Sequence, residues 1–358
     1  MPRALRIWTV CALVAALCLP SSLPAVAQPA ERPAPEMFIK RGVFAEGRLW
    51  LLSDTGTLFS VDEQAGTSAR EELPEPAGDI CLWRGRPTIV TGAAADAGQW
   101  TMRRRDGGQW SVIATLPRAG DSLVGIDCTE AAVTVLTDRR IITLGETRRE
   151  RRLSGRLEGG RVTTTLLATP DHLFVGLNAG EWGGGLRRIE RRTGRLATIE
   201  RNISGELCDG PLNTGCDPVN GLAVSPWRPG CVVAAIGLVH FMSRGRLAEI
   251  CGERVERLYF RPLESGWGDN SRLGADGEPF STVAFFGLIR SGDSLWAAGI
   301  DGLYEVRGPD AVARRPLPTF RQVGDFRLSF EVPGIVLVVT SVHRRASVSA
   351  GAPLIVPR

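Results

Sequence analysis

The hydrophobic and polar positions of this chain alternate in short runs of strand length, and helical spacing is almost absent. The recurring unit is an apolar strand, a tight turn, a second apolar strand, a glycine-containing turn, a third strand and a polar hairpin. The second strand of each unit opens near Leu49, Ile89, Val133, Leu173, Val232, Leu295 and Ile335. Four of the six spacings are 40 to 44 residues, and the other two are 59 and 63. The pattern predicts an all-β fold of seven repeated units, two of which carry insertions.

The clearest units span residues 48–62, 173–190 and 294–306, where an apolar strand meets a glycine turn and a strand that ends in Asp or Glu. They resemble bacterial β-propeller repeats of the two-component-regulator, quinoprotein-like and WD40-like kind. The resemblance implies one β-propeller, seven-bladed, over residues 37 to 358, because a closed ring protects the sheet edges. Two stacked sandwich domains are the alternative. The lack of a Pro- or Ser-rich linker after residue 37 favours a single domain.

The amino terminus predicts export from the cytoplasm. Arg3 and Arg6 precede an apolar run that begins at Trp8, and a small-x-small cleavage site ends at Ala27. Residues 1–27 are therefore predicted to be a removed signal peptide. The proline-containing residues 28–36 are predicted to be a disordered lead-in. We expect a bacterial protein that is periplasmic or secreted.

Two alternatives concern this leader. A transmembrane anchor is one, but Pro20 and Pro24 interrupt the apolar run well short of the roughly 20 residues that a bilayer needs. A lipid-attached Cys18 is the other, although Leu17 stands where a lipobox usually has a small residue. No later segment is long and apolar enough to span, so no membrane span is expected after cleavage.

The charge balance argues against nucleic acid as a partner. Without Arg3 and Arg6 the chain has 41 basic and 39 acidic side chains, whereas a nucleic-acid binder needs enough basic excess to neutralise several phosphates. Lys40 is the only lysine, which is typical of a GC-rich bacterial genome. The arginine clusters at 103–105 and 148–152 could bind an anionic polysaccharide, but clusters beside turns are more often solvated faces, and no site is predicted there.

Six cysteines remain after cleavage, an even number in a chain that leaves the reducing cytoplasm, so disulfides are expected. Cys208 and Cys216 bracket a run rich in turn-forming residues and are predicted to pair. Cys81 and Cys128 lie on the inner strands of adjacent units and could meet. Cys231 and Cys251 are placed at opposite ends of two strands, about 20 Å apart, which argues against their pairing. No C-x-x-C occurs and the three histidines are scattered, so a zinc cluster is not expected.

The long connections predict where a binding site lies. In a blade with strands A to D, counted from the centre outward, the B-to-C and D-to-A loops share one face. Residues 178–185, 202–217 and 262–279 should therefore converge on one loop-rich face, where binding residues usually lie. The candidates there are Glu181, Trp182, Glu206, Asp209, Asn213, Asp217, Asn220, Trp267, Asp269, Asn270, Asp276 and Glu278.

The chemistry of these candidates suits two kinds of ligand. Carboxylate and amide oxygens fit sugar hydroxyls or a hard cation such as Ca²⁺, and the Trp rings can stack on a sugar or on a protein anchor. Asp, Asn and Gly are also ordinary turn residues, so a purely structural role is the alternative. No cofactor other than Ca²⁺ is suggested.

The chain shows no G-x-S-x-G, H-E-x-x-H, phosphate-binding or dinucleotide motif, so no catalytic residue is nominated. His172 and His240 are interpreted as structural. The preferred hypothesis is an exported, non-catalytic propeller that binds a protein or glycan through the loop-rich face. The alternative is a metal-assisted hydrolase, lactonase or lyase of the Ca²⁺ type, with carboxylates at the channel mouth. That enzyme requires oxygen-bearing side chains to converge, and the first to check are Asp127, Asp217, Asn220 and Asp325.

Overall fold

The computed structural model describes residues 39–62, 64–92, 98–157, 163–202, 208, 210–240, 242–263, 281–317, 326–340 and 354–358. The predicted signal peptide and lead-in lie outside these ranges. The described chain is almost entirely strand and turn, as the alternating pattern predicted, with one short 3-10 helix. Within these ranges no helix is long and apolar enough to cross a membrane.

The strands form consecutive antiparallel sheets, in which each strand pairs with the next along the chain. Blade 1 comprises β1 (Ile39–Ala45), β2 (Arg48–Ser53), β3 (Leu58–Asp62) and β4 (Thr67–Arg70). Blade 2 comprises β5 (Ala77–Trp83), β6 (Arg86–Thr91), β7 (Gln99–Asp106) and β8 (Gln109–Pro117). Blade 3 comprises β9 (Leu123–Cys128), β10 (Val133–Thr137), β11 (Arg140–Leu144) and β12 (Arg148–Arg152).

Blade 4 contains β13 (Thr163–Ala168), β14 (His172–Asn178), β15 (Gly184–Glu190) and β16 (Leu196–Ile199). Blade 5 contains β17 (Val219–Val224), β18 (Cys231–His240), β19 (Met242–Cys251) and β20 (Arg254–Tyr259). Blade 6 contains β21 (Phe285–Ser291), β22 (Ser294–Gly299), β23 (Gly302–Val306) and β24 (Val312–Arg315). The last sheet consists of β25 (Phe326–Ser329), β26 (Ile335–Thr340) and β27 (Leu354–Pro357).

The chain is therefore a single all-β propeller, but the number of blades needs correction. The described residues form six four-stranded blades, and the seventh unit forms a sheet of three strands. The prediction of seven blades counted second strands, and β26 opens at Ile335 as expected. A second strand alone, however, does not show that its sheet has a fourth, outer strand.

Each blade buries both of its faces against its neighbours, which explains the runs of Val, Ile, Leu and Trp. Between blades 2 and 3, Trp100 and Met102 pack with Val135 and Ile142 in one apolar cluster. Blades 4 and 5 share a second cluster, and blades 5 and 6 a third. The largest contribution to stability thus comes from apolar side chains between sheets.

Contacts between the two ends of the described chain close the ring. Strand β25 lies against both β21 and β1. Ser329 Oγ donates a hydrogen bond to the carbonyl oxygen of Gly42 (3.1 Å), and Arg41 forms an ion pair with Glu331. Since the last sheet packs on the first blade, the alternative of two stacked sandwich domains is wrong.

Three disulfides are present. Cys81–Cys128 joins the inner strands of blades 2 and 3, and Cys208–Cys216 closes the loop that leads into blade 5. The third, Cys231–Cys251, corrects the expectation that these residues lie about 20 Å apart, because their Cα atoms are 4.4 Å apart. Cys251 ends the third strand of blade 5 rather than the fourth, so it lies directly opposite Cys231.

A loop-rich candidate site beside blade 5

The structure describes five of the twelve candidate residues and divides them into two groups. Glu181 and Trp182 are exposed, whereas Asn213 and Asp217 are buried and Asn220 is half-buried. The other seven lie outside the described residues, namely Glu206, Asp209, Trp267, Asp269, Asn270, Asp276 and Glu278. The site is therefore built from the loops around residues 178–185 and 208–217 and from the adjoining hairpin of blade 5.

Trp182 is the most exposed large apolar side chain in the described part of the chain. It ends the 3-10 helix Gly180–Trp182 between β14 and β15, and 77% of its surface is accessible. Val112 on β8, at 54%, is the other exposed large apolar side chain there. The exposed indole offers a large apolar surface, and tryptophan is enriched where proteins contact partners.

The backbone below Trp182 is fixed against the next loop. Gly184 N–H donates to Thr214 O (3.0 Å), and Gly185 N–H donates to Asp217 O (2.9 Å). Gly183 has φ 74°, and a Cβ atom at this position would overlap the carbonyl oxygen of Thr214. Glycine is thus required here for the close approach of two backbones.

The loop from Cys208 to Asp217 is anchored from inside by a buried cation. Arg246, on β19, is fully buried and donates hydrogen bonds to the carbonyl oxygens of Gly210 (2.8 Å) and Pro211 (2.9 Å). It also pairs with Asp217, whose carboxylate accepts from the Asn213 N–H (2.6 Å each). Asn213 and Asp217 therefore hold the loop in shape.

The hairpin of blade 5 reaches the same region. Strands β18 and β19 pair over ten residues each, and the chain reverses between His240 and Met242. His240 Nδ1 lies 2.8 Å from Glu181 Oε2, and the two side chains are 44% and 45% exposed. The sequence placed His240 inside a strand as a structural residue, so this polar pair beside Trp182 was missed. The signal that could have revealed it is the length of the hairpin.

Asn220 lies at the junction of three blades. Its Nδ2 donates to Gly237 O and to Phe285 O (2.8 Å each), and its Oδ1 accepts from Asn178 Nδ2. Both ends of the amide are therefore engaged within the protein.

Carboxylates on the inner strands join neighbouring blades in the same way. Asp79 Oδ2 accepts from the Ile126 N–H (2.9 Å), and Asp127 Oδ2 accepts from the Ala168 N–H (2.7 Å). Burial raises the pKa of Asp127 above its usual range, despite the hydrogen bond from Ala168. Burial also acts on Asp79, but the neighbouring Arg41 and Lys40 charges and two backbone N–H groups hold its pKa below the usual range.

The convergence that a metal-assisted enzyme needs does not occur among the three checked residues that the structure describes. Asp127 faces blade 4, Asp217 pairs with Arg246 within blade 5, and Asn220 bonds to blades 4 and 6. Asp325 lies outside the described residues. Nor do three His, Cys, Asp or Glu side chains cluster as metal ligands in the described ranges.

No protein-family model matches the sequence, and no curated protein matches it. Solved structures with a similar fold do exist. The extracellular domain of the one-component system BT4673 from B. thetaiotaomicron matches at TM-score 0.52 and 13% identity, covering 86% of this chain and 38% of that one. An inactive virginiamycin B lyase from Staphylococcus aureus, solved with quinupristin, matches at 0.51 and 12%, covering 86% and 92%.

YCF48 bound to a D1 peptide matches at TM-score 0.51 and 14% identity, covering 87% of this chain and 94% of that one. This chain thus spans well under half the length of the BT4673 domain and most of the length of the other two. At these identities the likeness concerns the fold alone. Together with the ring of sheets described above, it shows that the chain is a β-propeller.

Proposed function

We propose that this chain is an exported, non-catalytic β-propeller that binds a protein or glycan partner through its loop-rich face. The observation that carries the proposal is the exposed Trp182 ring on a rigid support. The support consists of the disulfide-closed loop, buried Arg246 and the glycine run that joins them. Rigid positioning lowers the conformational cost of binding.

The groups around Trp182 suit recognition. An indole offers a large apolar face, while the half-exposed pair of Glu181 and His240 adds polar groups next to it in the sequence and on the adjoining hairpin. A sugar ring stacked on the indole would have its hydroxyls within reach of such groups. An aromatic residue of a protein partner would use the same indole as a central contact.

The fold alone does not distinguish a binding protein from an enzyme. Similar propellers include a lyase and a protein solved with a bound peptide, and one fold commonly supports unrelated functions. Export is part of the proposal and is supported by three disulfides, which persist in oxidising compartments.

The test compares Trp182→Ala with Val112→Ala in the mature protein. Each variant removes one exposed apolar side chain, but Val112 lies on the outer strand of blade 2, away from the loop-rich face. Binding is measured against an oligosaccharide panel and, separately, against proteins of a bacterial periplasmic extract. We expect Trp182→Ala to weaken binding of the selected partner by at least about 2 kcal/mol, as the loss of a buried aromatic contact does. Val112→Ala should leave it unchanged.

Equal binding by Trp182→Ala and the unmodified protein would refute the placement of the site. Selection from the oligosaccharide panel identifies a glycan, and selection of one extract protein that binds again when purified identifies a protein partner. A melting curve of both variants serves as the folding control, since surface substitutions usually change stability by less than about 0.5 kcal/mol.

A further inference from the structure

The outer rim of blades 3 and 4 carries arginines that the packing of the fold does not use. Strand β12 reads Arg-Arg-Glu-Arg-Arg and is exposed at every position. The turn after β15 adds two more arginines, with 86% and 69% exposed side chains. Side chains alternate along a strand, so Arg149 and Arg151 share one side of β12, whereas Arg148 and Arg152 share the other. We define the outer-rim arginine patch as Arg149, Arg151, Arg192 and Arg195.

Hydrogen bonds bring the two parts of the patch together. Ser154 N–H donates to Gly194 O, and Leu196 N–H donates to Ser154 Oγ (2.9 Å each). The carbonyl oxygen of Arg152 and the side-chain stem of Arg151 both lie against Gly194. The patch is therefore one continuous surface formed by two blades.

The arginine cluster at residues 103–105 differs from this patch. The interpretation of that cluster as a solvated face is wrong. Arg105 pairs with Glu71 and lies over the rings of Trp50 and Trp110. Arg104 pairs with Asp106 and lies over Trp83. That cluster is part of the packing, whereas the outer-rim patch faces solvent.

The charge of the patch is not balanced locally. Glu150 is shared between Arg140 (2.7 Å) and Arg148 (3.2 Å), and Glu190 lies 3.6 and 3.9 Å from Arg192 and Arg195. Arg149 and Arg151 form no ion pair with any carboxylate that the structure describes. Glu253, which pairs with Arg188, also lies close enough to Arg195 for their charges to interact. Four arginines therefore face two glutamates, and positive charge is in excess.

We propose that the outer-rim arginine patch binds a linear acidic polysaccharide. Alternate side chains of a strand stand about 7 Å apart on one side, so Arg149 and Arg151 form a row beside the turn that carries Arg192 and Arg195. The guanidinium fork matches carboxylate and sulfate groups. A row of such forks on a narrow rim suits an extended polyanion.

The patch lacks the features that other anionic partners would use. Neither exposed large apolar side chain of the described chain, Val112 or Trp182, belongs to it. A protein interface usually has an aromatic residue at its centre. A surface that inserts into a membrane needs apolar residues, and a surface that binds single-stranded nucleic acid needs aromatic rings on which the bases stack. Strand β15, seven residues or about 23 Å long, separates the patch from Trp182, so this is a second surface.

The experiment measures binding of polygalacturonate and heparin to the mature protein at low and high salt. The test variant combines Arg149→Gln, Arg151→Gln and Arg192→Gln. The control variant removes the same charge from exposed arginines of blades 1, 5 and 6 with Arg70→Gln, Arg254→Gln and Arg307→Gln. We expect the test variant to bind about tenfold more weakly, because each exposed ion pair contributes a fraction of a kcal/mol. The control variant should bind as the unmodified protein does.

Three outcomes would overturn the proposal: no binding of either polysaccharide at low salt, equal weakening by the control variant, or binding of phosphatidylglycerol vesicles without binding of polysaccharide. Absence of binding would show that acidic polysaccharide is not the partner. Equal weakening by the control variant would indicate general attraction to a basic protein, and binding of vesicles alone would indicate a membrane surface as the partner. Trp182→Ala should retain polysaccharide binding, so failure of this proposal is distinguishable from failure of the proposed function.

Discussion

Asp79 and Asp127 lie on neighbouring inner strands, yet their pKa values are shifted in opposite directions. Each accepts a backbone hydrogen bond from the next blade. Asp79, however, also accepts from the Arg41 guanidinium at 3.2 Å. Arg41 is itself shared with Glu331 and with the carbonyl oxygen of Ile126. The pKa of Asp79 is therefore lowered, while burial raises the pKa of Asp127.

These directions predict opposite effects of two isosteric substitutions on stability. A lowered folded-state pKa makes ionised Asp79 stabilising above its ordinary pKa of about 3.9, and this contribution is lost as the pH falls through the lowered value. A raised pKa makes ionised Asp127 costly, and that cost disappears as the pH falls from the raised value toward the ordinary one. At neutral pH we expect Asp79→Asn to lower the free energy of unfolding and Asp127→Asn to leave it unchanged or raise it.

Urea unfolding of both variants and the unmodified protein across acidic and neutral pH checks this prediction. The difference from the unmodified protein should shrink for each variant toward low pH, where the aspartates are protonated. Two variants that lower stability equally at every pH would contradict it. Such a result would mean that lost hydrogen bonds, rather than charge, dominate at both positions.

Single residues also show what sequence reasoning could and could not reach. Trp182 was a candidate because a long glycine-rich loop stood out from the repeat, and the structure places it on the surface. Asn213 and Asp217 carried the same polar signal, yet both are buried, and Asp217 binds Arg246 and the Asn213 N–H inside the protein. Composition of a loop shows which groups it has. It does not show which of them face the solvent.

At the scale of elements, the hairpin of blade 5 explains the mistaken geometry for Cys231 and Cys251. Residues 243–245, Ser-Arg-Gly, have the composition of a turn, but they lie inside β19. The chain instead reverses after His240, where no glycine, proline or asparagine marks the turn. Gly245 is needed within the strand because its backbone packs closely on Val283 and Ala284, so its turn-like signal has a packing cause.

The loop disulfide Cys208–Cys216 should control the order of the Trp182 support. Replacing both cysteines with serine removes a constraint on the unfolded chain worth about 2 to 3 kcal/mol for a loop of this size. The amides of Gly184 and Gly185, which donate to Thr214 and Asp217 in this loop, should then exchange faster with solvent. Hydrogen exchange followed by mass spectrometry measures this change.

The matched control replaces Cys231 and Cys251 with serine. That bond joins two strands already paired over ten residues, so the exchange of Gly184 and Gly185 should stay as it is in the unmodified protein. Unchanged exchange in the Cys208→Ser/Cys216→Ser variant would contradict the prediction. It would show that Arg246 and its carbonyl contacts are sufficient to hold the loop.

At the scale of the whole molecule, the repeat was predictable because each unit requires the same local pattern of strand and turn. All seven predicted second strands are present at the expected positions. The contacts that close the ring were harder to predict from the sequence, because Arg41 and Glu331 are 290 residues apart and neither belongs to a motif. Within the described residues the last sheet has three strands, which a count of second strands could not reveal.

The two function classes differ in a property of the whole protein, its response to Ca²⁺. Ligands that bind only the folded state raise the melting temperature by mass action. Asp127, Asp217 and Asn220 bond to different partners and do not converge on one point, whereas Ca²⁺ needs six to eight oxygen ligands around it. We therefore expect the same melting temperature with EDTA and with excess Ca²⁺, measured by calorimetry without reducing agent and at matched ionic strength. A clear rise with Ca²⁺ would instead establish a cation site, favour the metal-assisted enzyme over a binding module, and make the carboxylates of the loop-rich face the residues to substitute.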